Sequence, residues 1–194
     1  METAKETTLQ RILKIGGDLI IQKGFNNVGI NEVLSAVDIP KGSFYYYFKS
    51  KEDFGLQIIK NYGDESLKLL HSYFNDKTKN PKERFMTFFQ DIRLGYIQKD
   101  FTEGCLLGNC SLELSDLKSS YAHGVANELN RWEALFEACI KEGQKDGSIG
   151  NPTEAKKLAA YMLNNWEGAI LRMKSTKSAK PLSLFIEFTE ELLT

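Results

Sequence analysis

Hydrophobic positions recur at spacings of three and four along almost the whole chain, and no stretch shows the strict alternation of a half-buried strand. Leu9, Ile12, Leu13, Leu19 and Ile20 place an amphipathic helix over residues 4–23, which Gly24 ends. Ile30, Val33, Leu34 and Val37 line one face of a short helix over 30–37. Pro40 forces the residue before it out of the helical region and suits a first helical turn, so another short helix is expected over 40–48. Ser50 with Asp53 three positions on is a capping-box pattern that opens a longer helix over 51–75. Asn80-Pro81-x-Glu83 and Asn151-Pro152-x-Glu154 repeat one starting device. It predicts helices over 81–99, with Phe85, Phe88, Phe89, Ile92 and Tyr96 on a stripe, and over 152–174, with Leu158, Tyr161, Met162, Trp166 and Ile170. Helices over 104–115, 119–145 and 182–193 complete an all-α chain of about nine helices. The first three helices form a small head over 1–50, and the rest a larger body over 51–194.

A chain of 194 residues, 42% of them hydrophobic, can bury one or two cores. Its apolar runs fall far short of the ~18–20 residues that span a bilayer, and the first thirty residues mix charge throughout, so no membrane partner and a cytoplasmic location are expected. Cys105, Cys110 and Cys139 are odd in number and form no CxxC pair, which argues against a disulfide framework or a metal site. His71 and His123 have no ligand partner one turn on, and no cofactor is expected. A net charge of −1 excludes a uniformly basic nucleic-acid binder. The balance is uneven, however. Residues 1–60 carry +1, the remainder −2, and residues 41–51 hold three lysines and no acid.

Those lysines lie within an unusual stretch, PKGSFYYYFKSKEDF over 40–54, whose aromatic run is unbroken from Phe44 to Phe48. Two short helices joined by a tight connection have the proportions of a helix-turn-helix, whose second helix meets base edges in the major groove. Phe44, Tyr47 or Phe48 can then turn into a three-helix core while the remaining rings face DNA. A tyrosine suits that place because its ring packs and its hydroxyl donates to a phosphate oxygen. Gly42 lets the backbone approach the duplex, Ser43 reaches a base or phosphate, and Lys51 stands where a helix N-terminus also attracts phosphate.

Residues 9–54 resemble the DNA-binding domain of TetR-type bacterial repressors. The resemblance rests on a helix ending at Gly24-Phe25, on Val28-Gly29-Ile30-Asn31-Glu32-Val33, on Pro40-Lys41-Gly42-Ser43-Phe44-Tyr45-Tyr46-Tyr47-Phe48, and on Ser50-Lys51-Glu52. It implies DNA contacts at Gly29, Asn31, Lys41, Gly42, Ser43, Tyr45, Tyr46, Tyr47 and Lys51. Gly29 stands where many members have Ser or Thr; glycine tolerates the cap position, but that side-chain contact is lost. The resemblance further implies a homodimer formed by the last two helices, double-stranded palindromic operator DNA as partner, and an unidentified small-molecule inducer.

The segment Thr102-Glu103-Gly104-Cys105-Leu106 resembles the Gly-Cys that opens a helix in a subgroup of these repressors responsive to N-ethylmaleimide and other electrophiles or oxidants. A helix start favours a thiolate, whereas the charge of Glu103 opposes one. In that subgroup a lysine near the end of the penultimate helix lies close to the cysteine, and Lys174 stands at the comparable place. Movement of the 104–116 helix is expected to press on the 51–75 helix. The alternative sensor is a lipophilic pocket drawing on Phe89, Tyr96, Trp132 and Trp166. Two other functions compete with the regulator: a thiol enzyme using Cys105, and a helical protein–protein adaptor without DNA binding.

Overall fold

A computed structural model describes residues 4–194. Helices α1 (Ala4–Lys23) and α2 (Ile30–Ala36) are followed by a 3₁₀ turn, Lys41–Ser43, and by α3 (Phe44–Tyr47). Then come α4 (Lys51–Phe74), α5 (Pro81–Gln98), α6 (Leu106–Leu114), α7 (Ser119–Asp146), α8 (Ala155–Thr176) and α9 (Lys180–Leu192). The chain is all-α, and no strand occurs among the described residues.

By packing, the chain divides into two units, with divisions inside α4, between Gly104 and Cys105, and inside α7. The first comprises residues through Glu65 together with Cys105–Glu128; the second comprises Ser66–Gly104 and Leu129–Thr194. In the first, Ile12, Ile20, Val33, Leu34, Phe44, Phe48, Phe54 and Ile58 are buried, as are Leu106, Leu107 and Leu114 of α6. In the second, Phe74, Phe85, Phe89, Phe136, Trp166 and Phe185 form a continuous ring cluster, with centroids 4.7 to 5.3 Å apart for the pairs Phe74–Phe85, Phe74–Phe136, Phe89–Trp166, Phe89–Phe185 and Trp166–Phe185.

Helix starts follow their local chemistry. Ser50 Oγ accepts from the Asp53 amide at 3.0 Å, and the Asp53 carboxylate accepts in return from the Lys49 amide at 2.7 Å. Asn80 and Glu83 form a complete capping box on α5, each accepting the other's amide at 2.9 Å. The second Asn-Pro device does not start a helix. Asn151 Oδ1 accepts from the Thr153 amide at 2.9 Å, its Nδ2 donates to the Leu192 carbonyl at 2.9 Å, and α8 begins only at Ala155. Asn151 Oδ1 is spent on the Thr153 amide in its own turn, so it does not cap α8. Gly24 adopts φ +83°, the left-handed conformation that lets the chain leave α1 and turn toward α2.

Candidate DNA-binding face and sensor segment

The helix-turn-helix is assembled by backbone bonds at its corner. Gly29 caps α2 in extended conformation and its carbonyl accepts from Glu32 at 3.0 Å and Val33 at 3.2 Å. At the other end Asp38 sits at φ +58°, a left-handed position that aspartate tolerates better than most residues, and the Ile39 amide returns to the Leu34 carbonyl at 2.9 Å. Arg11 Nη2 reaches the Val37 carbonyl at 3.5 Å and ties α1 to this turn. The expected single helix over 40–48 is instead a 3₁₀ turn, closed by the Ser43 amide on the Pro40 carbonyl at 2.9 Å, and one α-helical turn.

This short turn sorts the aromatic run by face. Phe44 and Phe48 are buried and meet Phe54, with ring centroids of 6.0 and 4.9 Å to it, whereas Tyr45 is 79% and Tyr46 62% exposed. Tyr47 is half-buried, its ring edge-on to Tyr46 at 5.0 Å. Gly29, Asn31, Lys41, Gly42 and Lys51 are exposed and Ser43 half-buried, so none of the expected DNA contacts is hidden. A Cβ at Gly29 or Gly42 would meet no atom of the chain within 4 Å; the room there is open to an outside partner. Lys51 Nζ lies 5.3 Å from the centroid of Phe25. One residue outside the expected set joins the face: Lys5 of α1 holds its Nζ 4.2 Å from the Tyr46 centroid. No motif marks it, because only the fold brings the start of α1 to α3.

Cys105 is buried and stands at the N-cap of α6, φ −82°, ψ 124°. Lys174 lies over the preceding residue: a Cβ at Gly104 would meet its Cδ at 3.4 Å and its Nζ at 3.8 Å. Burial pushes the thiols of Cys110 and Cys139 up to about 12, which leaves both unreactive near neutrality. Phe89, Trp132 and Trp166 are buried, while Tyr96 and Lys174 are half-buried. Phe89 and Trp166 belong to the ring cluster of the second unit.

From α6 the contacts run to α1 and to the loop that follows it. Glu113 Oε2 accepts from the Asn26 amide at 3.2 Å, and Asn109 Nδ2 donates to the Ile21 carbonyl at 3.4 Å. Beyond α6, Lys118 and Ser120 both bind the Glu52 carboxylate, Ser120 Oγ at 2.6 Å, and these two donors, Lys118 first, hold Glu52 below the usual carboxylate range. Glu113 carried no sequence signal as a linking residue.

Residues 12–58 match the family model described as bacterial regulatory proteins, tetR family, and residues 81–189 match the tetracyclin repressor-like C-terminal domain. The chain belongs to the TetR family. It is 32% identical over 190 residues to the HTH-type transcriptional repressor DhaR of Mycobacterium sp. (strain GP1), covering 98% of this chain and 94% of DhaR. The crystal structure of a TetR regulatory protein from Rhodobacter sphaeroides superposes with a TM-score of 0.89 at 31% identity, covering 95% of this chain and 98% of that one. The reduced form of NemR from Escherichia coli superposes with a TM-score of 0.87 at 26% identity, covering 97% of each chain. This TetR-family chain is therefore a DNA-binding transcriptional regulator, not a thiol enzyme or an adaptor without DNA binding. Among its described residues no helix is long and apolar enough to cross a membrane.

Proposed function

We propose that the chain is a repressor that binds palindromic operator DNA as a homodimer built by α8 and α9, and that chemistry at Cys105 releases it. The observation that carries the DNA reading is the sorting of one aromatic run, with Phe44 and Phe48 buried and Tyr45 and Tyr46 exposed among Lys41, Lys49 and Lys51. The contact set is Gly29, Asn31, Lys41, Gly42, Ser43, Tyr45, Tyr46, Tyr47 and Lys51. Tyrosine hydroxyls and ammoniums of this set hold phosphates, and Asn31 and Ser43 are of the types that read base edges. Selection of bound duplexes from a random pool tests the reading. A two-fold repeat with half-sites a helical turn or more apart is expected; a pool with no enriched sequence would reject it.

For release, the supporting features are a cysteine at a helix start and a lysine amine beside the residue before it. An electrophile with an activated carbon–carbon double bond adds Cys105 Sγ to one carbon while the thiol proton goes to the other. The added group displaces α6, and Glu113 and Asn109 convey the displacement to the α1–α2 region that carries the reading turn. N-ethylmaleimide is then expected to release wild-type protein from DNA and to leave Cys105→Ser bound. Equal release of both would remove the covalent route and return the choice to non-covalent binding of a lipophilic molecule.

A further inference from the structure

The lysines of the first unit fall into two groups. Lys23, Lys60 and Lys118 are each paired with a carboxylate: Glu32, Asp64 and Glu52. Lys14, in the middle of α1, and Lys5, Lys41, Lys49 and Lys51 form no ion pair among the described residues, and all five are exposed. The last three flank the reading turn in sequence. Lys5 does not; it is brought there by the start of α1, with its Nζ 4.2 Å from the centroid of a Tyr46 ring that Tyr47 braces edge-on at 5.0 Å. An ammonium over an aromatic face is attracted by the ring's negative face, yet in water this attraction leaves the ammonium's other hydrogens available to a second acceptor. Tyr46 itself is 62% exposed and is held by these two neighbours instead of by the core.

We propose that Lys5 is a further phosphate-contacting residue of the DNA-binding face and that its ammonium, seated on Tyr46, positions that tyrosine for the same backbone. The inference rests on the DNA-binding reading above. It extends the contact face from the helix-turn-helix onto α1. Each phosphate neutralised releases counterions, so each such lysine adds close to one unit to the salt dependence of binding per subunit.

The test measures affinity against salt concentration for the duplex recovered from the random pool and for a scrambled duplex of equal length. Lys5→Gln is expected to weaken both by about three- to tenfold at low salt and to reduce the log–log slope by about one per subunit. Lys5→Arg is expected to keep affinity and slope, because it retains both the charge and the stacking. In a Tyr46→Leu background, Lys5→Gln is expected to cost clearly less than in the native background, which a phosphate contact independent of Tyr46 would not produce. Unchanged melting of Lys5→Gln excludes loss of fold as the cause. A Lys5→Gln slope equal to that of the wild type, with the wild type binding normally, overturns the inference alone. A wild type that binds neither duplex overturns the DNA-binding reading and this inference with it.

Discussion

Arg84 is 3% exposed, and a guanidinium so deep is tolerated only when its donors are used. Its Nε donates to the carbonyls of Asp76 at 2.7 Å and Lys79 at 2.9 Å, and its Nη1 to Phe74 O at 3.2 Å and Glu142 Oε2 at 3.0 Å. One side chain thus satisfies the last carbonyls of α4 and the turn into α5, and pins both to α7. Arg84→Met is expected to lower stability by about 3 kcal/mol in urea unfolding, since three carbonyls lose a charged donor. Arg84→Lys does not restore it, because a point charge cannot serve acceptors on several sides. Glu142 is held below its ordinary value of 4.5, by Lys77 first and Arg84 second. A carboxylate with a depressed folded pKa binds fewer protons folded than unfolded, so its contribution is complete above the ordinary value and fades as pH falls through the lowered one. Glu142→Gln is therefore expected to flatten the acid side of the stability curve below about pH 5. Its effect near neutrality is smaller than that of Arg84→Met, because Glu142 is 39% exposed and screened.

At the scale of elements, what could be read from sequence was whatever local chemistry decides. The long helices announced themselves by period, and Asn80 and Ser50 by spacing, since a cap is formed by residues three apart whatever the rest of the chain does. That the aromatic run divides between core and surface was legible, but Tyr47 stood beside Phe44 and Phe48 as an inward ring, and the fold leaves it half-buried. Elements failed where a distant group competed. Asn151 offers the same pattern as Asn80, but its Oδ1 closes a turn on the Thr153 amide while its Nδ2 is tied to the Leu192 carbonyl, and α8 starts later. The reading element became a 3₁₀ turn and one α turn because Pro40 sets the entry and Phe48 leaves in extended conformation, φ −132°, ψ 134°. The expected thrust of the 104–116 helix on the helix that follows the head has a different set of supports. Here α6 bonds to Ile21 and Asn26, and the start of α4 is reached through Lys118 and Ser120. No sequence spacing marks Lys5 or Glu113, since their partners are brought near only by folding.

For the molecule as a whole, the decisive quantity is how many heads meet the duplex at once. A single head with a few unpaired lysines binds DNA weakly, and linking two makes the second contact intramolecular. The α8–α9 surface is suited to that linkage. Tyr161, Leu171, Leu184 and Phe188 are 57, 58, 55 and 61% exposed, and an open groove of about 980 Å³ runs among residues of both helices, including Tyr161, Leu184 and Phe188. Apolar side chains of this size left to water favour a second copy of the same face, and a two-fold contact uses each of them twice. Phe188→Glu consequently places two carboxylates in that contact, each costing several kcal/mol if buried unpaired. Because Phe188 lies outside the core of its own chain, the subunit's fold is expected to survive. Sedimentation should then report a monomer, and the salt slope of DNA binding should fall to about half its wild-type value as one set of phosphate contacts disappears. A Phe188→Glu protein that remains dimeric with an unchanged slope would move the interface away from α8 and α9 while leaving the reading turn where it is.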